Sequence, residues 1–281
     1  MIKWCAACQR FQEESEPFDD YRISHTICPA CLSKLDSGAT TDFDGLAGII
    51  DFYRRLEAIA LAGDAASVDE ILEESGRLGI RPLDLMMGLL QPLMAKVGDL
   101  WAANQVTVTV EHRFSVLVGD LLASLSRRPA AGTSQATASS PAGAPPATPE
   151  LVLINAEDNY HTLGLRMAEA YFAISGIATV TVVPGLPTDE VLDLLRTHKP
   201  MAVGFSVALP TQMKQVREIR RRLDELAFPP QRILVGGPAV RLGLNPDPSF
   251  GIDVCRNLAD VAVLLKYAPW RRGPAGAAGN R

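Results

Sequence analysis

Four of the five cysteines fall into two C-x-x-C pairs near the N-terminus, Cys5 with Cys8 and Cys28 with Cys31, 19 residues apart. Each such turn brings two thiolates to one point, and two turns complete a tetrahedral shell, so the pattern predicts a structural zinc site. His25 is an alternative ligand by type, but four thiolates already fill the shell. A redox pair of the thioredoxin kind needs a βαβ setting, which neither pair has. A second group lies in "GDLWAANQVTVTVEHRFS", residues 98–115. From Phe114 onward, Phe114, Leu117, Val118, Leu121, Leu122 and Leu125 recur at helical spacing as one buried stripe. Extended backward, the stripe takes in Glu111, whose carboxylate faces the core unless a polar group meets it. The plainer alternative is a Glu111 that opens the helix in water. A third group follows short apolar runs: His161 and Gly164 in "EDNYHTLGLRM", Ser206 and Thr211 in "GFSVALPTQM", Gly236 and Gly237 in "VGGPAV". Neutral imidazole is a good transition-metal ligand, and glycine lets a bulky group approach the backbone. Taken singly, His161 reads first as an ordinary loop or capping histidine and Gly-Gly as a turn.

The elements that must position these residues fall into segments. With 281 residues the chain has length for about two domains. Hydrophobic residues at 47% and charged residues at 21% are ordinary for a globular protein. No apolar run reaches the ~18 residues of a membrane span, and the N-terminus lacks the apolar core of a signal peptide. The expectation is a cytoplasmic protein with no membrane contact. A net charge of −5 without a long basic cluster argues against direct DNA binding. Residues 1–40 form the cysteine segment, too small to fold on apolar burial alone, so a metal supplies much of its folding energy. Residues 43–127 read as four helices and an antiparallel bundle, with Ser67 as a cap, Pro82 near a helix start and Pro92 as a kink. "QVTVTV" reads as an extended lead into the fourth helix, and Val106 and Val108 as core. Residues 128–149 contain almost nothing but Ala, Pro, Gly, Ser and Thr and read as a flexible linker.

Residues 150–270 alternate five β-branched runs with helical stretches, which predicts a doubly wound parallel sheet with ligands at the strands' carboxyl ends. Residues 271–281 read as a tail. The expected fold is α/β: a helical bundle, then a five-stranded Rossmann-like domain, with a small zinc module in front.

Together the strand-end residues resemble the cobalamin-binding domain of methionine synthase, the corrinoid methyl carriers and the adenosylcobalamin mutases. That family carries D-x-H-x-x-G, S-x-L and G-G. His161 and Gly164 match the first motif, Ser206 follows after 41 residues, and Gly236 follows the serine tripeptide after 27. The resemblance implies that His161 is the lower ligand to cobalt. It also implies that Ser206, Thr211 and the paired glycines line the slot for the displaced nucleotide tail. Two positions depart from the pattern. Asn159 stands where the family has aspartate, which implies weaker donation by the histidine, and Ala208 stands where it has leucine.

The bundle segment adds a finer resemblance. Trp101, nine residues, then Glu111 and His112 looks like the W-x9-E-H signature of CarH-type light sensors. There the three residues surround the 5′-deoxyadenosyl group of adenosylcobalamin, and light cleaves the cobalt–carbon bond and moves the helical cap. The winged-helix DNA-binding module of those sensors is not in this sequence. Ala102 stands where their light-state cobalt histidine would be, so water or His112 must fill that position. The cysteine segment resembles small zinc modules attached to bacterial signalling proteins. The resemblance implies a non-enzymatic light sensor that signals to a transcription factor or another signalling protein, with a homo-oligomer also open. The alternatives are a corrinoid methyl carrier and a haem or redox sensor.

Overall fold

A computed structural model describes residues 1–37, 45–62, 66–127, 149–258, 261, 264 and 265. The expected linker, apart from residue 149, and the expected tail lie outside the described residues. The chain divides into two units, Met1–Ala130 and Ala131–Arg281. Among the described residues no helix is long and apolar enough to cross a membrane.

The first unit opens with β1 (Ile2–Cys5), β2 (Phe11–Glu14) and β3 (Ile23–Thr26), in the order β2-β1-β3. β2 runs antiparallel to β1 and β3 parallel to it. These strands have four residues each, too few for an alternating pattern to stand out in the sequence. The helix α1 (Pro29–Asp36) follows, with Cys28 at its N-cap.

The predicted helices come next: α2 (Gly45–Ala62), α3 (Val68–Arg77), a long helix over 82–102, and α6 (Val108–Arg127). Ser67 caps α3, its Oγ accepting the Glu70 N–H at 3.3 Å. The long helix has three parts: α4 (Pro82–Leu85), a π-helical turn at Met86–Leu90, and α5 (Gln91–Ala102). Proline 92 cannot donate to the carbonyl four residues back, and the π turn just before it resets the hydrogen-bond ladder without ending the helix.

"QVTVTV" corrects one expectation. Its first three residues do not form an extended lead: Gln105 and Val106 lie in a bend. The Thr107 hydroxyl accepts the Val110 N–H at 3.3 Å, and α6 starts at Val108. The change from strand to helix period turns Val108 outward, where it is 50% exposed instead of joining the core, and leaves Val106 half-buried.

The second unit is a five-stranded, all-parallel sheet. Its strands are β4 (Leu151–Asn155), β5 (Thr179–Val182), β6 (Ala202–Ser206), β7 (Arg232–Gly236) and β8 (Ile252–Val254), in the order β5-β4-β6-β7-β8. The helices α7 (Thr162–Ile174), α8 (Thr188–His198), α9 (Met213–Arg222) and the short α10 (Pro238–Arg241) lie between them. Val152, Ile154, Val203 and Phe205 pack with buried residues of α8 and α9. Leu151, Leu153 and Leu234 pack with α7 residues Leu165 and Phe172. Both faces are therefore covered, which is why the strands read as continuous apolar runs. From β4 the chain goes to β5 on one side and returns to β6 on the other, so the topological switch point lies between β4 and β6.

In the first unit, the cysteine-bearing sheet meets the long helix at Gly88. A Cβ there would lie 2.7 Å from Trp4 Cζ2 and 2.9 Å from Phe11 Cβ. Trp4 is fully buried and packs edge-on against Phe11, ring centroids 6.3 Å apart. An alanine in a helix ordinarily gains about 0.5–1 kcal/mol over glycine, whereas overpacking a filled contact costs about 1–3 kcal/mol. The second effect is larger here because the indole is wedged on all sides. Gly88→Ala is expected to destabilise the protein by about 1–2 kcal/mol in urea unfolding; a gain in stability would show that the notch is not filled.

Candidate functional site

The Sγ atoms of Cys5, Cys8, Cys28 and Cys31 all lie within 4.8 Å of one another, with Cys8 and Cys28 at 3.9 Å. A disulfide needs ~2.05 Å. A tetrahedral cage with Zn–S bonds of ~2.3 Å has edges near ~3.8 Å, which matches the observed packing. Among the described residues the cluster comprises these cysteines alone; His25 lies exposed on β3. Burial pushes the Cys5 thiol up, but the backbone N–H groups of Cys28, Cys8 and Ala7 outweigh it and hold it at about 6. Burial and the neighbouring thiols push Cys8 up to about 12. Thiols so close resist ionising together, and a divalent cation is what allows all of them to do so. The donor set therefore fits a metal such as zinc.

The second site lies at the switch point. Residues 156–161 fold back over the end of β4, with Asp158 in a left-handed conformation at φ 60°. Asn159 is 1% exposed. Its Oδ1 accepts the His161 backbone N–H at 3.0 Å and lies 3.3 Å from His161 Nδ1. Its Nδ2 donates to the Ser206 carbonyl at 2.9 Å. Asn155 Nδ2 donates to the Asn159 carbonyl at 3.1 Å, and Asn155 pairs in register with Ser206. An acceptor facing Nδ1 places the ring proton there, so the Nε2 lone pair of the exposed imidazole is left for a metal.

The remaining predicted residues surround this point unevenly. Gly237 takes φ 104°, and a Cβ there would lie 2.8 Å from the Val207 carbonyl oxygen. A Cβ at Gly236 would lie 3.2 Å from the Cys255 carbonyl oxygen. At Gly164, in the first turn of α7, a Cβ would meet nothing within 4 Å. Thr211 is exposed in the turn before α9. The Ala208 N–H donates to Gln212 Oε1 at 2.8 Å. Asn155 Oδ1 is buried with no partner among the described residues. A free Nε2, open space at Gly164 and an unmet polar atom beneath the loop fit a cofactor that brings a metal to His161.

Trp101, Glu111 and His112 belong to the first unit. Trp101 is 49% exposed near the end of α5, Glu111 closes the first turn of α6 and His112 follows it. The sequence placed Glu111 on the buried stripe; the structure puts it at the stripe's edge, its side chain 29% exposed. Its carboxylate accepts from Ser115 Oγ at 2.6 Å and lies 2.5 Å from His112 Nδ1. The polar group that meets it is thus in its own helix. Leu117 is also only half-buried, while Phe114, Val118, Leu121, Leu122 and Leu125 are buried as expected. Sequence reasoning missed Gln212, Gln215 and Gly185. Gln215 and Gly185 act on a loop distant in sequence, which no local pattern signals, and Gln212 reaches back only three and four residues.

Comparison with known proteins bears on the domains and the fold. Residues 53–125 and residues 149–255 each match a family model described as a B12 binding domain. No curated protein matches the chain. Among solved structures, the chain is similar to the monomethylamine corrinoid protein of Methanosarcina barkeri. The TM-score is 0.57 at 18% identity, over 77% of this chain and 98% of that one. It also aligns with a cobalamin-binding protein of Desulfitobacterium hafniense DCB-2 (TM-score 0.37, 15% identity, 76% and 97% coverage). The methanol:cobalamin methyltransferase complex of Methanosarcina barkeri aligns with TM-score 0.39 at 17% identity, over 86% and 94% of the two chains.

Two outcomes are expected. The purified chain holds a single zinc ion, released in a chelator-competition assay by Cys28→Ser; retention of zinc by that variant would remove Cys28 from the shell. Asn159→Asp places a carboxylate oxygen against the Ser206 carbonyl in place of a donor, costing about 1–3 kcal/mol of stability. Unchanged urea stability in that variant would show that residue 159 makes no bond to the Ser206 carbonyl.

Proposed function

We propose that this chain, which carries two B12-binding domains, holds cobalamin with His161 Nε2 as the lower ligand to cobalt. It acts through the cofactor's upper ligand and is not an enzyme by itself. The observation that carries this reading is the Asn159 amide, which faces His161 Nδ1 and leaves Nε2 free at the β4–β6 switch point. Ser206, Thr211, Gly164, Gly236 and Gly237 are assigned to the nucleotide tail. When bound, cobalamin supplies a cobalt–carbon bond that can be broken by methyl transfer or by light. Asn159 weakens His161 as a donor relative to an aspartate, because an amide oxygen carries no full charge.

Two uses of that bond each have support. The structural relatives include a corrinoid protein, which favours a methyl carrier serving a methyltransferase. At this identity the likeness is one of fold, so it is a reason to test carriage. Trp101 and the Glu111–His112 pair favour the other use. A half-exposed tryptophan offers a broad apolar face, and a carboxylate beside an imidazole offers hydrogen bonds, which together suit an adenosyl group. Under that reading the protein is a light sensor signalling to a transcription factor or another signalling protein, with cytoplasmic location and zinc in the cysteine module.

Visible spectra of the full chain with adenosylcobalamin and with methylcobalamin, dark and after green light, test both. The wild-type dark spectrum is expected to be base-off and histidine-ligated, and His161→Ala is expected to lose that ligation. Loss of the adenosyl group in light, with cobalt retained on the protein, favours the sensor. Preferential uptake of the methyl form, with no light conversion of the adenosyl form, favours the carrier. Ligation that survives in His161→Ala overturns the proposal.

A further inference from the structure

Gln215 lies in α9, outside every motif, and is 6% exposed. Its carboxamide reaches two loops at once. Oε1 accepts the Glu157 N–H at 2.7 Å, and Nε2 donates to the Leu186 carbonyl at 2.6 Å. Glu157 begins the loop that ends in Asn159 and His161. Leu186 lies in the connection from β5 to α8. The neighbouring Gly185 presses on the same loop, since a Cβ there would lie 2.3 Å from the Ala156 carbonyl oxygen and 2.7 Å from that of Asn155. The His161 loop is therefore held on one side by Ser206 through Asn159, and on the other by α9 through Gln215. A buried carboxamide is costly unless both its ends are bonded, and here both are.

We infer that Gln215 is a positioning residue for His161: by fixing Glu157 it sets the height of the loop and the direction in which Nε2 points. This rests on the reading of His161 as the cobalt ligand. The contrast is with a residue that only fills the core. Val216 is its neighbour in α9, fully buried, and serves as that control.

The test uses the full chain loaded with cob(II)alamin and read by electron paramagnetic resonance. There an axial nitrogen splits the cobalt signal, and nitrogen-15 labelling of the protein identifies that nitrogen as the protein's. Gln215→Met keeps the length and loses both bonds; Gln215→Asn is too short to bridge the loops. Either variant is expected to lower the ratio of histidine-ligated to unligated cofactor about tenfold, in line with one or two lost hydrogen bonds. Val216→Ala is expected to lose stability in urea while keeping the wild-type ratio. A wild-type ratio in a folded Gln215 variant overturns the inference. If the wild-type protein itself shows no protein nitrogen on cobalt, the reading of His161 fails instead. Gln215 is then judged on the cofactor-free protein, where the 157–161 amides should exchange about tenfold faster in the variants. Unchanged exchange would overturn the positioning role as well.

Discussion

The second unit's site depends on one buried carboxamide. Asn159 must present an acceptor to His161 and a donor to the Ser206 carbonyl, and an amide is the side-chain group of its size that carries both. An aspartate would serve the histidine and leave the Ser206 carbonyl facing a like charge. The departure from the family's aspartate is therefore matched by its surroundings. The same amide joins the β4 loop to the end of β6, so the orientation of the imidazole is tied to the sheet and not left to loop flexibility. A ligand held through a second residue to a rigid element keeps its direction when the metal exerts force on it.

Around this centre, polar side chains on the α9 side do work that the strand-end motifs do not reveal. Gln212 holds the backbone after β6 through the Ala208 and Leu209 N–H groups at 2.8 and 3.0 Å, and Gln215 holds the loops after β4 and β5. The glycines act by what they lack. At Gly185 and Gly237 the backbone approaches neighbouring carbonyls too closely for any side chain. At Gly164 the missing side chain leaves open space instead, so the family glycines serve two different ends.

What could be read from the sequence follows the range of the interactions involved. The three central strands were legible because burial on both faces makes each a short, largely apolar run, the edge strands β5 and β8 through their β-branched residues, and Ser67 because a helix cap is a three-residue affair. The cysteine cluster was legible because two-residue spacing within each pair already dictates where the thiolates go. The three short strands, the π turn and Gln215 were not. The strands are too short for an alternating pattern to show, a π turn has no residue pattern of its own, and what Gln215 does depends on loops tens of residues away. Val108 and Glu111 were misjudged for a related reason. A periodic pattern gives the face of a helix but not where the helix starts or how wide its buried stripe is, and both residues lie at that margin.

The cysteine module and the helix carrying Trp101 are bound by the same logic. Cys5 ends the strand that contains Trp4, so a metal held by the thiolates would also fix the indole that fills the Gly88 notch. Farther along, the Tyr21 hydroxyl donates to Asp99 Oδ2, two residues before Trp101. The long helix is thus gripped by the module near its π turn and again near its end. Packing within the bundle holds the buried face of that helix, through Leu89, Leu90, Leu93 and Val97. The module holds it from another side, at two points along its length. A helix gripped at one point can pivot, and one gripped at two cannot do so without breaking a contact. The indole of Trp101 can therefore remain half in solvent while the backbone beneath it stays fixed.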